Sequence, residues 1–342
     1  MTLAAVEGQP RAVEALRSAL RSDQVHHAYL FGGPEGVGKE RTAVALAQAL
    51  LCQAAPLEGC GACATCTRVE RRTHPDVTWV MPEAEAVERG LAGKSDFTGT
   101  PSRELKVEQV RGLQERLALR PLEGKRKIAV LVSAEQMNPQ AQNAFLKTLE
   151  EPPSDTLLVL LASAPDRMLP TIRSRCSKVH FAPLPVELVA ARVQAARKVD
   201  AATARLVAVM AGGSLGRALA WDVKGLERRA EVVRRFEEAA RGGVRPLLRF
   251  AEEFGASRQD AEDALAVLQL WTRDVALARA GAGELANADL EGLAREVAAR
   301  LGEEALHRRH ALLERALTSI TTRNASARLQ LERMLVELGE AA

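Results

Sequence analysis

Aromatic residues are scarce in this 342-residue chain: they make up 3% of it, and Tyr29 is its single tyrosine. That argues against a platform of stacked aromatic rings of the kind single-strand nucleic-acid binders use. An excess of one charge is lacking as well, since 47 Lys and Arg against 44 Asp and Glu leave a formal +3. There is no polybasic arm, so any nucleic-acid contact would have to come from a local patch. No run approaches the roughly 18 apolar residues that a membrane span needs. The opening stretch, MTLAAVEGQPRAVEALRS, scatters its charges and has no apolar segment, so it does not read as a secretory signal. What remains is an ordinary globular composition, 47% hydrophobic and 27% charged. At roughly 150 residues per domain the length suggests two or three domains. The expectation is a soluble, cytoplasmic protein.

Cysteine is rare but concentrated. Of five cysteines, Cys52, Cys60, Cys63 and Cys66 lie together with the spacing C-x7-C-x2-C-x2-C. A disulfide framework would spread its cysteines along the chain. Close CxxC pairs instead let four thiolates converge tetrahedrally on one Zn²⁺, and four thiolates leave no open position for a substrate. The pattern therefore predicts a structural zinc site, with Gly59, Gly61 and Ala62 permitting a tight knuckle. A redox CxxC is the rival reading, but that motif normally has two cysteines in a βαβ context of its own. Cys176 stands alone and reads as buried packing.

Residues 1–183 alternate helical and apolar extended patterns, as an α/β layered sheet requires. The expected strands are 27–32, 76–81, 127–133, 157–162 and 178–181. Residues 128–132, Ile-Ala-Val-Leu-Val, form a continuous apolar run suited to a strand covered on both faces. Beyond Pro183 and Pro185 the strand signal ends. Residues 184–225 read as a small helical unit broken at Gly212-Gly213, and 226–342 as a helical domain. Leu290, Leu293, Val297 and Leu301, and then Leu313, Leu317 and Ile320, recur at helical spacing. A break is expected at Arg323-Asn324-Ala325-Ser326, and a mobile surface loop at 83–105.

Gly33-Pro-Glu-Gly36-Val-Gly38-Lys39 matches G-x4-G-K between a strand and a helix, the context the phosphate loop needs. There, backbone N–H groups cradle phosphates and the lysine reaches the outer ones. The next position should carry a hydroxyl for Mg²⁺, and it holds Glu40. The end of the 127–132 strand should carry a metal-binding Asp and a Glu that polarises water. Ser133 and Ala134 stand there, and strand alternation would turn Glu135 away. Nucleotide binding through Gly33, Gly36, Gly38 and Lys39 stays open; hydrolysis is expected to be absent or negligible.

Asn143-Ala-Phe-Leu-Lys147-Thr-Leu-Glu150-Glu-Pro-Pro153 resembles the NALLKTLEEPP element of bacterial clamp-loader AAA+ subunits. Thr171-Ile-Arg-Ser174-Arg175-Cys176 is similar to their Ser-Arg-Cys motif. Gly8-Gln9, His27-Ala-Tyr-Leu-Phe31, the cysteine insert with His74-Pro-Asp76, Lys106–Arg111 and Trp271-Thr-Arg-Asp274 fit as well. The strong matches cover residues 8–181. The resemblance implies a RecA-like AAA+ domain, an all-α lid and an all-α collar. It also implies membership of a ring with gamma/tau and delta subunits that places a sliding clamp on primed DNA. The damaged catalytic positions point to a non-hydrolysing member, in which Arg175 would reach the γ-phosphate of ATP held by a neighbour. The bland alternative for Arg175 is an intrachain ion pair.

Relatives with an active lid carry arginine where Gly216 sits, and Arg217 is one position off. Ser163 sits where a sensor hydroxyl belongs, though a serine at a strand end is usually a turn former. The apolar stripes of 286–301 and 306–320 could serve the collar or be core. Two other readings remain: a gamma/tau-like active ATPase using Glu40 or Glu135, and a zinc nucleic-acid reader using Arg68, Arg71 and Arg72.

Overall fold

The computed structural model describes residues 2–221, 223–323 and 325–339. The chain divides into two compact units, Met1–Val189 with Gly213–Gly216, and Ala190–Gly212 with Arg217–Ala342. In the first unit the elements run α1 (Pro10–Arg21), β1 (Ala28–Gly32), α2 (Lys39–Leu51), α3 (Ala64–Glu70), β2 (Val77–Val80) and α4 (Glu83–Glu88). They continue with α5 (Val107–Leu117), β3 (Lys127–Leu131), α6 (Pro139–Glu150), β4 (Thr156–Ala162), α7 (Pro170–Arg173) and β5 (Ser177–His180). All five expected strands form, each within a residue or two of its expected limits.

The strands pair in the order β2-β3-β4-β1-β5, every pair parallel. Helices cover both faces, which is why β1, β3 and β4 are buried along their whole length. Phe31, Val130 and Val159 face one apolar layer with Leu46 of α2, and Leu30, Leu131 and Leu160 face the other with Phe145 of α6. A parallel sheet puts all carboxyl ends of its strands at one edge, where ligands of open α/β sheets bind. Residues 33–38, 132–136 and 163 follow the adjacent strands β1, β3 and β4 and so meet at that edge. The turns at 118–126 and 174–176 precede β3 and β5 and lie at the opposite edge.

Most of the segment 83–105 is the expected loop, but its first six residues are helical. It opens with α4, and Glu83 accepts hydrogen bonds from Ser102 N–H at 2.9 Å and Lys106 Nζ at 3.1 Å. Both ends are thereby fastened to structured chain.

Helices α8 (Val186–Arg197) and α10 (Leu215–Ala220), with α9 (Ala201–Met210) between them, cross the border between the units. The second unit continues with α11 (Val223–Gly242), α12 (Val244–Phe254), α13 (Arg258–Ala280), α14 (Glu291–Arg300), α15 (Glu303–Arg323) and α16 (Ala327–Gly339). The expected break falls between α15 and α16; Asn324, one of its residues, lies outside the described residues. The two apolar stripes are spent on this unit's own core: Leu290, Val297, Leu313 and Ile320 are buried with Trp271, and Leu293, Leu301 and Leu317 pack against them.

Two buried carboxylates organise the helices. Glu237 accepts from Trp271 Nε1 at 2.8 Å, Arg309 at 2.6 Å and Arg300 at 3.0 Å. Asp274 accepts from the backbone N–H groups of Ala286 at 3.0 Å and Asn287 at 2.7 Å, and from the Asn287 side chain. The Trp271-Thr-Arg-Asp274 string thus supplies two structural anchors.

Candidate functional site

Lys39 opens α2 directly after the glycine-rich loop, and Gly33, Gly36 and Gly38 all have positive φ, +151°, +72° and +106°. A Cβ at Gly33 would overlap the Phe181 carbonyl, and one at Gly36 the Ser214 hydroxyl. Only glycine fits this path. Among the described residues no backbone carbonyl accepts from the N–H groups of Gly36, Val37 or Gly38. They form an anion nest at a helix start.

The Lys39 ammonium donates to the carbonyls of Gly33 and of Pro34, the latter at 2.6 Å, and lies 3.3 Å from Ser163 Oγ. Burial pulls its pKa below the ordinary lysine value, and the carboxylates of Glu135 and Glu35 partly offset that. Ser163 therefore belongs to the site. Gly216 N–H donates to the Gly36 carbonyl at 3.3 Å, and its absent side chain is what lets the 213–216 segment lie on the loop. The Arg217 guanidinium donates instead to Ala211 carbonyl at 2.9 Å.

The metal positions are filled differently from an NTPase site. Glu40 pairs with Arg72 and, at 2.7 Å, with Arg89. Arg89 also pairs with Glu85, which accepts from Ser133 Oγ at 2.8 Å. Arg72 stacks over Trp79, 4.6 Å from its ring centre. So Glu40 and Ser133, the two residues at metal-ligand places, are joined through one hydrogen-bonded ion-pair chain.

Ala134 is fully buried in the core. Glu135 departs from the expectation that it points away: its Oε1 accepts from Ser163 N–H at 2.9 Å, and its charge acts on Lys39. The reason is the backbone. Alternation holds only while the chain is extended, and Ser133 turns left-handed at φ +51°, which re-aims the side chains after it. Glu135 Oε2 is buried without a hydrogen-bond partner.

Arg175 lies at the opposite edge of the sheet, two residues before β5, whose Ser177 pairs with Tyr29 of β1. The loop with Lys39 follows the far end of β1, roughly 16 Å away along a five-residue strand. Arg175 pairs with Glu150 at 2.6 Å and donates to Thr171 carbonyl at 3.0 Å. Both partners are well exposed. Cys176 beside it is buried, and burial pushes its thiol up to about 12.

The four clustered cysteines come together between the end of α2 and the start of α3. Their sulfurs all lie within 4.8 Å of one another. The Cys52–Cys63 and Cys60–Cys66 pairs are each 3.9 Å apart. Zn–S bonds of about 2.3 Å in a tetrahedron give edges of about 3.8 Å, so the donor set fits. Backbone N–H groups of Ala55, Cys63 and Cys66 point at the sulfurs of Cys52, Cys60 and Cys63 at 3.2–3.4 Å. Gly59 and Gly61, at φ +74° and +70°, make the knuckle. Of the nearby arginines, Arg68 pairs with Glu123 and Arg72 with Glu40.

A parallel sheet with a glycine-rich phosphate cradle at its carboxyl edge and helices on both faces defines a P-loop domain of the AAA+ type. The model of the family described as DNA polymerase III, delta subunit, matches residues 8–185, and the chain belongs to that family. Among similar proteins are two named DNA polymerase III subunit delta′. The one from Bacillus subtilis is 37% identical over 178 residues, 52% of this chain and 49% of its own. The one from Pseudomonas aeruginosa is 41% identical over 174 residues, 50% of this chain and 48% of its own. DNA polymerase III subunit tau of Escherichia coli is 33% identical over 187 residues, 54% of this chain and 26% of its own. The match spans about half the length of the delta′ relatives.

Proposed function

We propose that this chain is the delta′-type, non-hydrolysing subunit of a DNA polymerase III clamp loader. Its partners would be the gamma/tau and delta subunits, and through the assembled ring a sliding clamp and primed DNA in the cytoplasm. Glu40 carries the reading: the residue at the magnesium hydroxyl's place is already neutralised by two guanidiniums, with Ser133 tied into the same chain. ATP, if bound, would be held by the N–H groups of the loop and by Lys39. Losing one preorganised charge-stabilising group typically costs about 10²–10³ in rate, and here both metal positions lack one.

Arg175 would act in trans. Its place across the sheet from its own cradle supports this, because the phosphate it serves must belong to another molecule. Its pair with Glu150 is exposed, and such pairs are worth about 0–1 kcal/mol, so a γ-phosphate can displace it. The four cysteines would hold a structural zinc. Of the three segments, 1–183 would carry loop and finger, 184–225 the lid and 226–342 the collar.

The purified chain alone is expected to turn over no ATP, whereas the ring assembled with gamma/tau and delta should hydrolyse ATP and stall when it contains Arg175→Ala. Brisk turnover by the isolated chain would reject the reading. One observation favours the gamma/tau-like alternative: the unpartnered Oε2 of Glu135 beside the loop. Under that alternative, turnover by the isolated chain would vanish in Glu135→Gln.

A further inference from the structure

In a P-loop NTPase, Mg²⁺ stands between the hydroxyl that follows the lysine and the carboxylate at the end of a nearby strand, and bridges them to the outer phosphates. Residues 40 and 133 hold those two places in this chain, and the group joining them is a guanidinium. Arg89 pairs with Glu40 at 2.7 Å through one terminal nitrogen and with Glu85 through the other. Glu85 in turn accepts from Ser133 Oγ at 2.8 Å, which completes the bridge. The residues present do not fit the ion. One carboxylate oxygen of Glu40 is taken by Arg72 and the other by Arg89, and Ser133 spends its hydroxyl proton on Glu85. Magnesium wants free oxygen ligands in near-octahedral array, and this corner offers ion pairs instead.

Arg89 is fixed in position by the chain around it. It caps the C-terminal end of α4, where its N–H donates to the Glu85 carbonyl at 3.0 Å. Gly90 then turns left-handed at φ +67°, and the N–H groups of Gly90 and Leu91 fold back onto the carbonyls of Val87 and Ala86. At the other end of α4, Ala84 N–H donates to the Ser102 carbonyl at 2.9 Å. Because α4 follows β2, it lies at the carboxyl edge of the sheet, as the phosphate loop does. The Arg89 side chain is 32% exposed, and its two pairs leave N–H donors of the guanidinium free for an anion. Arg72 and Arg89 balance Glu40 and Glu85, so the cluster does not repel a phosphate as Glu40 alone would.

We infer that Arg89 takes the place of magnesium in this site: its guanidinium, bridging Glu40 and Glu85, contacts the outer phosphates of a nucleoside triphosphate, which the chain binds without a divalent cation. A guanidinium fork suits phosphate oxygens and is always charged. It carries half the charge of the ion. Such a site, which rests on the non-hydrolysing reading proposed above, suits holding a triphosphate and falls short of what cleaving it needs.

ATP binding to the full chain is measured by titration calorimetry, once with excess Mg²⁺ and once in buffer without divalent cations. The wild-type chain is expected to bind equally well in both. Arg89→Ala should bind about 10-fold or more weakly without Mg²⁺. It should regain affinity when Mg²⁺ is added, because Glu85 and one oxygen of Glu40 are then free to hold the ion. Arg89→Lys keeps the charge but not the fork, so it should fall between the two and stay indifferent to Mg²⁺. It also carries the test should Arg89→Ala fail to fold. Wild-type binding that tightens about 10-fold or more with Mg²⁺ overturns the inference. So does an equal loss in Arg89→Ala with and without Mg²⁺, which is what a purely structural ion pair gives. A wild-type chain that binds no ATP in either buffer overturns it as well and leaves the non-hydrolysing reading standing. That reading falls instead to ATP turnover by the isolated chain, so the two failures are told apart.

Discussion

Asp76 is a carboxylate almost removed from water, yet it stays ionised more easily than usual. Burial pushes its pKa up, and the N–H groups of Leu122, Gly124 and Glu123 outweigh that and hold it below the ordinary aspartate value. A depressed folded pKa stabilises the protein above the unfolded-state value, near 4. That contribution is lost as pH falls through the lower, folded value. Asp76→Asn should therefore cost about 1–3 kcal/mol at pH 7 in urea unfolding, and progressively less below pH 4. A cost that is the same at pH 3 and pH 7 would contradict the assignment. Residue identity alone marks Glu40 as wrong for a metal site. It does not reveal that Arg72 and Arg89 claim it, because those partners lie 32 and 49 positions away. Glu40→Thr restores the hydroxyl but neither the metal carboxylate nor the base, and turnover by the isolated variant should stay at background.

At the scale of elements, strands are the most legible feature. β1, β3 and β4 are covered on both faces, so their sequences are near-continuous apolar runs with no competing pattern. α4 is hidden in the sequence because six residues rich in charge carry too little periodicity to announce a helix. The cysteine knuckle is readable from spacing alone, since a CxxC pair brings two sulfurs together with little help from elsewhere. On the proposed zinc site, metal analysis of purified protein should find one equivalent of zinc in the wild-type chain and well below one in Cys63→Ser. In the helical unit, Glu237 gives no signal, being one glutamate among many on a charged helix. Only packing reveals that Arg309, also buried, depends on it. Glu237→Ala leaves that guanidinium without its countercharge and should cost about 3–5 kcal/mol in unfolding free energy. A loss under about 1 kcal/mol would mean that water reaches Arg309.

Across the whole molecule, the decisive fact is the polarity of the parallel sheet. It gathers Lys39, Glu135 and Ser163 at one edge and leaves Arg175 and the 118–126 turn at the other. A chain built this way offers a phosphate cradle on one side and a cation on the opposite side. Arg175→Ala should change the stability of the isolated chain by less than about 0.5 kcal/mol, because the Glu150 pair is exposed. In the assembled ring the same substitution should lower ATPase by about 10³-fold or more. Equal ATPase in rings with and without the substitution would remove the finger.

By itself the sequence determined the strands, the glycine path of the phosphate loop, the cysteine module and the missing metal ligands. Each of these is written in neighbouring residues, through local sterics or short spacing. Tertiary structure alone decided where Glu135 points, what Glu40 is bonded to, how the apolar stripes of the helical unit are spent, and which edge bears Arg175. Those outcomes depend on a left-handed backbone at Ser133 and on contacts between residues far apart in the chain, which no local pattern encodes.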